Sequence, residues 1–119
     1  MISNWQTICN NEFLPKLEDL ELAFENNNKN DFMNSLYDLY KVAIRMLSEY
    51  LAFCGIYPST ILEIIKAAYY NEIIDNGQLW INILCDIKNP NRNFFKEKYI
   101  NMFKDLKTYL DKEMEFWDV

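Results

Sequence analysis

At 119 residues the chain is long enough for one hydrophobic core and too short for two. Half of it is apolar and 16% is aromatic, which excludes a disordered segment, while two glycines and three prolines are too few turn formers for a sandwich or barrel. A net charge of −6 argues against broad nucleic-acid binding, and the absence of histidine removes every histidine-dependent nucleophile, base or metal motif.

Helical periodicity recurs five times. Phe13, Leu17, Leu20 and Phe24 form one stripe at i, i+4, i+7. Pro15 places the start of that helix close by, because a proline further inside costs ~3 kcal/mol. The polar run Asn26 to Asp31 reads as a loop, with Asp31 as N-cap of a second, long helix. Its stripe runs Phe32, Leu36, Leu39, Ala43, Leu47, Tyr50, Cys54, and Gly55 is its C-terminal stop.

Thr60-Ile61-Leu62-Glu63 has capping-box spacing and starts a third helix reaching about Ile73. Asp75 to Gln78 has the same spacing and opens a short fourth helix, with Leu79 or Trp80, then Ile83, Leu84 and Ile87 on its apolar face. Pro90 and the asparagines around it break the pattern. Tyr99, Phe103, Leu106, Leu110 and Met114 define a last long helix ending near Trp117. The expected fold is all-α, one domain over 1–119, an antiparallel up-and-down bundle of four to five helices.

No apolar run approaches the ~20 residues that cross a bilayer, and no signal segment is apparent, so a cytoplasmic protein is expected. Cys9, Cys54 and Cys85 are odd in number and scattered, which suits buried free thiols and no metal cluster. With so few glycines there is no phosphate-cradling loop, and nothing calls for a cofactor. Eight Phe, eight Tyr and three Trp exceed what so small a core hides, so an association surface is expected.

Charge is unevenly spread. Residues 1–87 carry a net −7, residues 88–107 a net +4, and the last twelve a net −3. A solvated helix face explains the basic segment, and so does an anion site.

Three stretches resemble one family. Glu49-Tyr50-Leu51 with Gly55 looks like the end of its second helix. Thr60 to Tyr69 is similar to its third helix start. Asp75-Asn76-Gly77-Gln78-Leu79-Trp80-Ile81-Asn82-Ile83-Leu84, with Asp86, resembles its Asp-Asp-Gly-Glu-Leu-Trp-Leu-Asp-Met-Leu segment followed by Glu-Asp. From about Phe32 to Phe103 the chain thus resembles the HEPN superfamily, in its minimal branch of nucleotidyltransferase substrate-binding proteins.

That resemblance implies a helical bundle that forms a homodimer and pairs with a small nucleotidyltransferase of the MNT type, in many cases as a toxin–antitoxin pair. In active members an Arg and a following His form a metal-independent ribonuclease site, in which Arg stabilises phosphate charge and His moves protons. A Tyr beyond the His is, in some, a target for nucleotide transfer.

The chemistry does not carry over. Ile87 stands at the Arg position, Lys88 at the polar residue after it, Arg92 at the His and Phe94 at the Tyr, while Lys41 replaces a usual Glu of helix two. Arg92 stays protonated and cannot act as a base.

The expected function is therefore a non-catalytic subunit that dimerises, binds an MNT-type partner and holds a nucleotide or RNA phosphate in a basic cleft. The candidate residues are Lys41, Trp80, Asp86, Lys88, Asn89 and Arg92. Lys88 and Arg92 would bind phosphate and Trp80 would stack on a base, unless Trp80 is a core anchor and the cations merely solvated. Two alternatives stand beside this: an atypical RNA-cleaving or nucleotidyl-transfer component using Lys41, Lys88, Arg92 and Tyr99, or a helical interaction module with an unrelated partner.

Overall fold

The computed structural model describes residues 3–89 and 94–117, all helix and connection, with no strand among them. Helix α1 (Asn4–Ile8) continues through one π-helical turn, Cys9–Phe13, into α2 (Leu14–Glu25). The first rod thus starts about ten residues earlier than its proline suggests. Pro15 lies just past the π turn, where the Leu14 N–H reaches back to the Cys9 carbonyl. A widened turn gives the pyrrolidine ring room that a regular α-turn denies it.

Helix α3 (Lys29–Phe53) returns alongside. Its N-cap is Asn28, not Asp31: Asn28 Oδ1 accepts the Asp31 N–H at 3.1 Å, and Asp31 Oδ2 accepts from Asn28 Nδ2 at 2.9 Å. Both residue types cap well, and the position with extended backbone wins. The helix stops at Gly55, φ +85°, where the N–H groups of Gly55 and Ile56 bond to the carbonyls of Ala52 and Leu51.

Helix α4 (Ile61–Tyr70) opens with the expected capping box: Thr60 Oγ1 accepts the Glu63 N–H, and the Glu63 carboxylate accepts those of Thr60 and Ser59. It ends three residues short of Ile73, because Glu72 turns left-handed at φ +58°. Helix α5 (Gly77–Lys88) is capped by Asn76 rather than Asp75, Asn76 Oδ1 accepting the Leu79 N–H at 3.0 Å. Helix α6 (Glu97–Trp117) closes the bundle.

Most residues of the predicted stripes form the core, with Phe24, Leu84, Ile87 and Met114 half-buried at its edge and Cys54 exposed. Leu17, Leu20, Leu36, Leu39, Leu47, Ile83, Phe103 and Leu110 are all buried. Aromatic rings run the length of the 42 Å molecule. Phe24 stacks on Phe95 at one end, Phe103 meets Phe13 and Trp80 in the middle, and Trp5 meets Tyr50 edge-on at the other. These contacts set the long helices in alternating directions, as an up-and-down bundle requires. Two of the three thiols depart from expectation: Cys9 is buried, but Cys54 and Cys85 lie at helix surfaces. No helix among the described residues is long and apolar enough to cross a membrane.

The aromatic surplus is visible on the outside. Tyr57, Tyr69, Tyr70, Phe116 and Trp117 each expose half or more of their surface, and Tyr37 and Phe53 nearly half. Hydrophobic area of this kind is left over after the core is full.

Candidate functional site

Helices α3, α4 and α5 enclose a groove of about 760 Å³. Its floor is Ile44, Ile61, Ile64, Leu84 and Ile87; its rim carries Lys41, Arg45 and Lys88, and among the described residues no carboxylate lines it. Lys41 and Lys88 come from helices far apart in sequence and meet here. Lys88 sits in the last turn of α5, where the helix dipole favours a cation. Lys41 lies 4.4 Å from the centre of the Tyr37 ring and 3.9 Å from Asp38, and Arg45 pairs with Glu12. Both ion pairs are exposed and worth at most ~1 kcal/mol, so neither ties up its cation.

The other candidates lie elsewhere. Trp80 is 1% exposed, wedged between Tyr40 and Phe103, with its carbonyl accepting the Tyr40 hydroxyl at 2.9 Å. No face of its ring is open to a base, which corrects the stacking role. Its packing follows from the period of α5, which turns Trp80 and Ile83 inward.

Asp86 also leaves the groove. At 100° per residue it sits on the opposite side of α5 from Leu84 and Lys88 and faces α6. There it accepts the Tyr99 hydroxyl and lies 3.5 Å from the Lys96 ammonium. Tyr99 is fully buried, and burial first, then the bond to Asp86, pushes its phenol well above the usual tyrosine range. A phenol so held is no nucleophile near neutral pH, which removes Tyr99 from the enzymatic alternative. Asp86 is a structural acid that staples α6 to α5. Asn89 caps α5, its N–H and side-chain amide both donating to the Cys85 carbonyl. Arg92 lies outside the described residues.

Sequence reasoning overlooked Arg45 and Tyr37, yet both were readable: they stand four residues to either side of Lys41, on one face of α3. Lys96 and Tyr99 as partners of Asp86 had a fainter signal, a lone acid between the apolar Ile83 and Ile87.

Between the α4–α5 link and α6 lies a second cleft of about 670 Å³ with mixed walls, Glu72 and Asp75 on the link facing Lys98, Asp105 and Lys112 on α6. Among the described residues no group of three or more potential ligands is placed to hold a metal ion. A Cβ added at Gly77, one of the residues carrying the resemblance, would meet Ile65 and Tyr69 at 3.7–3.8 Å, ordinary contact distance. No protein-family model matches the chain, and no curated protein matches it.

Proposed function

We propose that this chain is a non-catalytic, HEPN-like subunit that self-associates, docks on a small MNT-type nucleotidyltransferase as part of a toxin–antitoxin pair, and holds a nucleotide or RNA phosphate on its basic groove. The observation that carries the reading is the meeting of Lys41 and Lys88 over one groove, beside Ile87 at the position of the family's Arg. Two ammonium groups bind phosphate oxygens as point charges. The chain has no histidine to move a proton, which supports binding without cleavage.

Co-expression with a small nucleotidyltransferase encoded beside this chain tests the partner. The two should elute as one complex of stable mass ratio, and separate elution refutes the pairing. Fluorescence anisotropy with a labelled RNA oligomer tests the groove. Binding should weaken with salt and drop about tenfold or more in Lys41→Glu/Lys88→Glu. RNA cleavage by the pure protein, lost in Arg92→Ala, would replace this reading with the enzymatic one.

A further inference from the structure

We infer that the groove between α3, α4 and α5 receives the C-terminal tip of α6 from a second copy of this chain. The inference deepens the self-association part of the reading above and does not depend on the nucleotidyltransferase.

Two exposed surfaces match in opposite charge. The groove is apolar at its centre and cationic at its rim, through Lys41, Arg45 and Lys88. The tip is apolar at its centre and anionic at its edge. Phe116 is 66% and Trp117 52% exposed, their rings in edge contact at 5.0 Å, and Trp117 rests on Phe53 at 5.1 Å. Glu113 and Glu115 flank them, in a segment whose last twelve residues sum to −3.

The tip also carries its own electrostatic cost. A helix C-terminus is the negative end of the helix dipole and favours cations. The last turn of α6 has no basic residue and instead bears acids. Three cations around an apolar floor supply what that end lacks, and two exposed aromatic side chains supply what the floor lacks. Aromatic anchors in an apolar recess with a charged rim are the usual centre of a protein contact.

The alternatives pair worse. Groove against groove sets Lys41, Arg45 and Lys88 of one copy against the same three of the other. Tip against tip sets carboxylates against carboxylates. Like charges across a contact disfavour it, whereas tip into groove pairs opposite signs. The contact is heterologous, so two copies close into a dimer only if both tips reach both grooves; otherwise it propagates.

The test uses full-length variants in sedimentation velocity at micromolar concentration, with far-UV circular dichroism as a check on folding. Ile61→Glu spoils the groove, at a position already 39% exposed. Phe116→Ser/Trp117→Ser spoils the tip. Lys41→Glu is the substitute groove variant should Ile61→Glu fail to fold, since Lys41 is 59% exposed.

Wild type should associate, and each variant alone should associate at least about tenfold more weakly. A mixture of the two should recover a pair, because each brings the one intact surface the other needs. Association retained by the tip variant means groove meets groove; association retained by the groove variant means tip meets tip. Either overturns the inference and leaves a dimerising subunit standing. A mixture that stays monomeric overturns it as well. A monomeric wild type overturns both the contact and self-association, while co-elution with the nucleotidyltransferase is decided separately.

Discussion

Asp86 separates a binding role from a structural one most cleanly, because the two predict opposite results for Asp86→Ala. As a groove residue it would alter ligand binding and leave stability alone. As the acceptor of the buried Tyr99 hydroxyl it should do the reverse. Truncation leaves that phenol unpaired away from water, at ~1–3 kcal/mol, and strands the Lys96 ammonium, whose contribution is smaller. A total near 2–3 kcal/mol is expected, or roughly 8–12 °C in Tm at about 4 °C per kcal/mol for a chain of this length. Tyr99→Phe loses the same charge-assisted bond from the other side, at ~1.5–3 kcal/mol. The double variant should cost clearly less than the two singles together, with a coupling of about 1–2 kcal/mol. Urea unfolding followed by tryptophan fluorescence measures all four corners, since Trp5 and Trp80 are buried reporters. A coupling below about 0.5 kcal/mol means that the two residues share no bond. A wild-type urea midpoint in Asp86→Ala with altered anion affinity would return Asp86 to the binding site.

Three further outcomes follow from the backbone and the titratable groups. Glu72 holds a left-handed conformation at φ +58°, so Glu72→Gly should stabilise the chain by ~1 kcal/mol, while Gly55→Ala at φ +85° should cost as much or more; thermal melts that move together would refute the strain argument. Stability should hold through neutral pH and fall as pH climbs from 9 towards about 11, since burial and then Asp111 push the Cys9 thiol from 9.0 to about 11. A raised folded value means that the contribution is complete below the unfolded value and lost as pH rises through the folded one. Burial raises Tyr40, Tyr50 and Tyr99 in the same sense, so in Cys9→Ala the early part of the loss should vanish and the part above pH 10 should remain. Finally, a maleimide should label Cys54 and Cys85 in the native state and Cys9 only on unfolding; three thiols reacting at one rate would contradict the packing.

What was legible in the sequence was mostly local. The Thr60–Glu63 capping box, the Gly55 stop and, Cys54 apart, the stripes of α3 and α6 depend on neighbours within a turn or two, and they stand where the spacing predicts. The start of the first rod was not legible, because Pro15 marks a helix end in most contexts and only a π turn lets the helix run past it. Asp31 lost the cap to Asn28 because two good capping residues three apart look alike until backbone angles choose between them. At the candidate site, Lys41 and Lys88 line one groove, whereas Asp86, grouped with them through nearness in sequence, does not. Two residues along a helix is half a turn, and half a turn is the other side. Trp80 fell to the core for a similar reason: a large ring on the inward stripe of a short helix is worth more buried than waiting for a base.

The groove ties the two proposed ligands together. A second copy's tip and an anion would both meet Lys41 and Lys88, so each should displace the other. Linkage makes the effect reciprocal: an anion that weakens self-association by some factor is itself bound more weakly, by that factor, to the associated form. Lys88 is the sharpest probe of this competition. Lys41 and Arg45 have carboxylate neighbours of their own, whereas Lys88 makes no ion pair among the described residues. Lys88→Glu should therefore weaken both ligands together, which two unrelated sites would not do. Ile87 lies beside it on the groove floor. In the proposed frame, an Arg there would bring its charge to a phosphate and keep the floor wet; an Ile removes that charge and completes an apolar floor from α3 to α5. In that frame, the replacement that would take away the chemistry is also the one that completes an apolar floor for a docking partner.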